Sequence, residues 1–153
     1  MAKNFISKKA LLAILILQLL DTVMTNISPS ETQVLLTHFN WNLQRLEEVL
    51  KQEQTDYFKG AALQRFGHTY DITIKVLRSF AKCQSLPCQT DEQCFETAIT
   101  SGWMERVLDI KELIKDYQRI NQKPKQNAEN IHKKLETYHK AFSYLFKQLK
   151  KIS

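Results

Sequence analysis

"QRFGHTYDITIKVLRSF", residues 64–80, is the stretch whose reading decides the fold. Phe66, Tyr70, Ile74 and Leu77 recur at steps of four and three. Projected at about 100° per residue they share one side with Thr73, Phe80 and Ala81, while His68, Asp71, Lys75 and Arg78 fall on the other. The pattern predicts an amphipathic helix whose aromatic residues belong to a core and whose His68 is a surface side chain.

The same period extends outward in both directions. Ser28-Pro29-Ser30-Glu31 has the form of a capping box and opens a predicted helix with Leu36, Phe39, Leu43, Leu46 and Leu50 on one stripe. That helix fades in "KQEQTDY". After the quoted stretch, "KCQSLPCQTDEQ" reads as a loop, and Asp91 or Thr90 can cap a short helix through Phe95, Ala98 and Ile99 that ends at Gly102. A further helix is predicted from Val107, Ile110, Ile114 and Tyr117, stopping before Pro124. The last carries Ile131, Leu135, Tyr138, Phe142, Leu145, Leu149 and Ile152, a seam suited to a bundle interior or to a second subunit. Three Gly and three Pro in 153 residues leave little punctuation for a β fold. The fold class expected is all-α: an antiparallel bundle of four or five helices over residues 28–153, with an extra N-terminal hydrophobic helix in residues 1–27.

That extension holds Lys8-Lys9 followed by "ALLAILILQLL", an apolar run interrupted by Gln18. It is shorter than the roughly 20 residues a membrane-spanning helix requires. Its basic start and apolar middle look like a signal peptide, but no small-x-small cleavage site follows. An added helix or a start at Met24 are the competing readings. Cys83, Cys88 and Cys94 match no zinc spacing, and free thiols in a reducing compartment are expected of them. The net charge of +6 resides from Lys123 onward, where eight Lys stand against Glu129 and Glu136. Such a helix suits RNA, an acidic partner or a membrane surface, or is simply a solvated face.

Catalytic signatures are missing from the sequence. There is no Gly-rich phosphate loop, no G-x-S-x-G and no H-E-x-x-H. His38, His68, His132 and His139 are scattered, and Glu47 and Glu48 are adjacent and so diverge on a helix. No catalytic, cofactor or metal residue is nominated.

The order of segments carries a family resemblance. "LQRFGHTYDITIKVLRSF" followed by "CFETAITSGWM" resembles the nucleotidyltransferase substrate-binding proteins of the HEPN superfamily. Gln64, Arg65, Phe66, Thr69, Tyr70, Lys75 and Leu77 keep that family's aromatic-rich helix pattern, with Gly67 and Ile74 in place of its usual Glu and Trp. Ala98 and Gly102 hold its second motif. The resemblance runs from about Leu35 to the C-terminus. It implies an antiparallel, usually homodimeric bundle partnering a small nucleotidyltransferase subunit, in a toxin–antitoxin-like pair. Catalytic relatives are metal-independent ribonucleases with an R-N-x-x-x-H-x-Y type motif, whose Arg would stabilise phosphate and whose His would move a proton. Here those positions fall on Asp116, Tyr117, Asn121 and Lys123, so the motif is lost, and an acid at the Arg position would repel phosphate.

The reading is therefore a non-catalytic partner of a nucleotidyltransferase, with nucleotide or RNA as a further ligand and no membrane partner, in the cytoplasm. Arg65, Lys75, Arg78, Tyr117 and Arg119 are its candidate contacts, and no cofactor is expected. The alternatives are a ribonuclease rearranged around Arg119 with His132 or His139, and an exported or membrane-associated bundle using residues 8–20.

Overall fold

The computed structural model describes residues 7–25 and 30–153. They are helical throughout apart from turns and loops, and form two units, one up to Ser30 and the other Glu31–Ser153. The first holds α1 (Lys8–Thr25). Leu11, Leu12, Ile14, Leu15, Ile16, Leu17, Leu19 and Leu20 of α1 are 49–64% exposed, on every face of the helix. No described helix is long and apolar enough to cross a membrane.

The second unit is a helical bundle: α2 (Glu31–Leu50), α3 (Asp56–Cys83), α4 (Asp91–Thr100), α5 (Ile110–Gln122), α6 (Ala128–His132) and α7 (Leu135–Ile152). α2 begins at Glu31, while the Ser28 and Pro29 of the expected capping box lie outside the described residues. α2 and α3 form an antiparallel hairpin: Thr32 Oγ1 meets Ser79 Oγ at 3.1 Å, and nearer the turn Thr69 Oγ1 donates to the Asn42 carbonyl at 3.5 Å. α3 starts where Thr55 accepts from the Phe58 amide, satisfying one of the donors a helix N-terminus leaves free.

α3 is the central helix, and only a narrow strip of its middle (Gln64, His68, Asp71, Lys75 and Arg78) faces solvent. The rest is packed on several sides. Phe66 is fully buried and stacks on Tyr138 (5.3 Å between centroids) and on Phe142 (6.3 Å). Tyr70 packs on Phe95 of α4 at 5.7 Å and on Tyr117 of α5 at 3.8 Å. Two residues one helical turn apart thus bind α4, α5 and α7 to α3. Burying such rings contributes about 2–3 kcal/mol each, with about 1 kcal/mol more for each well-oriented ring pair.

The Ala98–Gly102 segment has a local structural job. Gly102 adopts φ +78°, its amide donates to Ile99 O at 3.1 Å, and the Trp103 amide donates to Ala98 O at 2.9 Å. This is a Schellman ending, which favours glycine and turns the chain so that Trp103 and Met104 enter the core. Trp103 lies edge-on to Phe80 at 6.1 Å.

Three expectations are corrected. Val107 is 67% exposed and precedes α5, whose cap is Asp109; that carboxylate accepts from the amides of Lys111 and Glu112 and starts the helix three residues later than the apolar spacing suggested. The last helix is divided, because the Lys134 amide bonds Ile131 O at 2.9 Å and tightens the turn between α6 and α7. Finally, the thiols are not all free: Cys88 and Cys94 form a disulfide with 4.4 Å between Cα atoms, and Cys83 remains free and exposed. The loop before α4 is folded onto that helix, with Thr97 Oγ1 donating to Pro87 O at 2.6 Å and the Gln89 amide to Gln93 Oε1 at 2.7 Å, which carries Cys88 to Cys94.

Phe66→Ala is expected to cost about 3–5 kcal/mol in urea unfolding, whereas Gly102→Ala, strained only by its positive φ, is expected to cost about 1 kcal/mol.

Candidate functional site

Of the sequence-nominated residues, Lys75 and Arg78 lie on the solvent strip of α3, Arg65 lies half-buried beside it, and Tyr117 and Arg119 lie on α5. Two shallow grooves flank the strip and share His68 and Asp71. The groove toward α5, about 360 Å³, adds Gly60, Gln64, Ile120 and Asn121. The groove toward α2, about 600 Å³, adds His38, Trp41, Asn42 and Lys75. Trp41 is 52% exposed and lies under the Arg45 guanidinium at 5.5 Å. Large amphipathic aromatics of this kind commonly anchor interfaces.

Arg78 and Tyr117 meet in one polar network at the end of this strip. The stacked phenols of Tyr70 and Tyr117 each donate to a carboxylate: Tyr70 to Asp91 Oδ2 at 2.8 Å, and Tyr117 to Asp71. Arg78 approaches Asp91 Oδ1 at 3.6 Å. Asp91 sits in the first turn of α4, where the helix dipole favours an acid. Burial, then the Asp71 hydrogen bond, pushes the Tyr117 phenol up to about 12, and burial followed by Asp91 pushes Tyr70 above its ordinary range. Both phenols are therefore fixed as donors at neutral pH. Their role is to tie α3 to α4 and α5.

The other nominated residues do not join this network. Arg65 is half-buried on α3, its carbonyl taken by Thr69 Oγ1 at 2.8 Å, and Arg119 lies on α5 at 3.6 Å from Asp116 Oδ1. Asp116, at the position where the resembling motif would carry Arg, is turned into the core. It is fully buried, accepts from Tyr138 Oη at 2.5 Å, and pairs with Lys134 Nζ at 2.5 Å. Lys134 also reaches Glu112 at 2.8 Å. Desolvation works against the Lys134 ammonium, but the bonds to Asp116 and Glu112 outweigh it and raise its pKa; burial and then Asp116 likewise raise Tyr138. Among the described residues Asp116 Oδ1 makes no hydrogen bond, and its cationic neighbour is Arg119 Nη1 at 3.6 Å. Lys123 is the C-cap of α5, its amide bonding Arg119 O at 2.8 Å.

His132 and His139 line a different cleft, between the end of α2 and α6–α7, of about 730 Å³; Arg119 is not among its lining residues. His139 Nε2 lies 3.0 Å from Leu43 O. Burial, with Lys59 nearby, lowers the His132 pKa. Among the described residues no group of three or more His, Cys, Asp or Glu could hold a metal ion.

Trp41 and His38 were not singled out from sequence, although Trp41 lies two residues from Phe39 and hence off the apolar stripe of α2. An aromatic on the polar side of an amphipathic helix was the available signal. No family model matches the chain, and no curated protein matches it.

The raised pKa values of Tyr117 and Lys134 set an alkaline limit. The unfolded chain releases these protons near pH 10 while the folded chain holds them, so the stability they confer is present below about pH 10 and is lost as pH rises, that of Tyr117 toward about 12. Urea midpoints measured across that window are expected to decline for the wild type and less steeply for Tyr117→Phe.

Proposed function

We propose that this chain is a non-catalytic partner subunit of a small nucleotidyltransferase, acting as a homodimer in a toxin–antitoxin-like pair and offering nucleotide or RNA a place in the grooves beside α3. The observation that supports it most is the place of Asp116. The residue standing where catalytic relatives would carry a phosphate-binding Arg is enclosed by Tyr138 and Lys134 and serves the core. The resembling segments supply the rest of the argument. Gln64–Leu77 builds the helix whose solvent strip, with Trp41 beside it, is a polar surface with an aromatic anchor. The ribonuclease alternative gains nothing from the geometry, since Arg119 stands beside Asp116 while both histidines line the α2–α7 cleft.

A tagged chain is expected to co-purify a small nucleotidyltransferase encoded beside it, with and without ribonuclease treatment. Trp41→Ala and Lys75→Glu are expected to weaken that complex by about tenfold or more without loss of helicity. Absence of a complex with such a subunit would end this reading, and metal-free RNA cleavage abolished by Arg119→Ala would replace it with the ribonuclease.

A second reading, an exported helical bundle, is favoured by the Cys88–Cys94 disulfide and the apolar side chains of α1. Alkylation of protein taken directly from its source, read by intact mass, separates the two. One reactive thiol and loss of the N-terminal segment support export, whereas three reactive thiols and an intact segment exclude it. If oxidised, the disulfide is expected to add about 2 kcal/mol, measured as the shift in urea unfolding on reduction.

A further inference from the structure

The cleft between the end of α2 and α6–α7 contains an ordered row of cations. Lys133, Lys140 and Lys147 all line it, all are exposed, and successive members stand seven residues apart. Lys133 and Lys134, between the two helices, both keep right-handed helical backbone angles, so the chain runs on from α6 into α7 through one tightened turn. At about 1.5 Å of rise per residue, the three charges repeat every 10–11 Å or so along the cleft. Among the described residues none of the three forms an ion pair, whereas Lys51, Lys59 and Lys134 each hold a carboxylate. Half-buried Leu50 and Tyr144 add apolar surface to the lining.

We propose that this cleft docks an acidic amphipathic helix of a partner protein, with Asp or Glu at every seventh position. Three features on the row select that occupant. A helix repeats its own side chains at the same seven-residue spacing, so one face can meet all three lysines. Glu136 interrupts the row between Lys133 and Lys140, and Glu47 lies across the cleft, paired to Lys51 at 3.0 Å. A helix can place a Lys or Arg opposite Glu136. A nucleic-acid strand, with a charge at about every 3.4 Å of duplex axis, cannot avoid it. Leu50 and Tyr144 then receive the partner's apolar positions, as in helix-in-groove recognition. The proposal is independent of whether the partner is a nucleotidyltransferase.

The test uses the full chain and a fluorescein-labelled peptide of three heptads, with Glu at the first and Leu at the fifth position of each and Ala and Gln elsewhere. Binding is read by anisotropy at low salt against two controls: a peptide of the same composition with its Glu residues on different faces, and an oligouridylate of equal charge. The in-register peptide is expected to bind, and Lys133→Glu/Lys140→Glu/Lys147→Glu to weaken it by about tenfold or more. A peptide with Lys in place of Glu is expected to bind that variant in preference to wild type, which a misfolded variant would not do. The milder Lys→Gln triple variant is expected to lose less, and a charge reversal outside both surfaces, Lys115→Glu on the exposed side of α5, nothing. Equal binding of the out-of-register peptide, binding of oligouridylate alone, no binding of any probe, or indifference to the triple reversal would each overturn the proposal.

Discussion

The bundle depends on the stacking of aromatic rings around Phe66 and Tyr70. Phe66 stacks on Tyr138 and Phe142, and Tyr70 stacks on Tyr117 and meets Phe95 at a tilt, so one turn of α3 holds three other helices. Rings supply large apolar area together with a preferred relative orientation, so the stack sets helix spacing as well as burial. Phe39 extends the same principle, meeting Phe146 edge-on at 5.9 Å and bringing α2 onto α7.

A consequence is that the polar groups at the edge of the stack are committed to holding it. A phenol packed into the stack must place its hydroxyl somewhere, and buried Tyr70 and Tyr138 and half-buried Tyr117 each donate to an acid: Asp91, Asp116 and Asp71. Asp116 in turn requires Lys134, and Lys134 brings in Glu112. Groups that look chemically suggestive as a list of residues are thus joints between helices. Open to other molecules, by contrast, are the strip of α3 with Trp41 beside it and the lysine row of α6–α7.

The helices themselves were legible in the sequence because a helix registers burial as a local period. The residues of the α3 stripe are all buried, and "KQEQTDY" marked the junction with α2; Thr69, Ile72 and Val76, outside the stripe, are buried too because this central helix is packed on several sides. Gly102 was legible for the same reason, since a chain reversal at positive φ is a local demand. Val107 misled because its apolar character continued the period beyond the true cap, Asp109, whose side chain takes the first amides. Of the candidate site, Lys75, Arg78 and Tyr117 were found on the exposed strip or its network. Arg65 and Arg119 were not, since a charged residue gives no local sign of which groove it faces.

By itself the sequence determined the helical class, most of the core, the ends of several helices and the basic character of the C-terminal segment. All of these follow from interactions within a few residues. The tertiary structure alone decided that Cys88 reaches Cys94, that Asp116 is enclosed, and that the Lys133, Lys140 and Lys147 row faces the end of α2 across a cleft. Each of these depends on how one element is seated on another. A buried acid and a solvent-facing acid are the same letter until the helices around them pack.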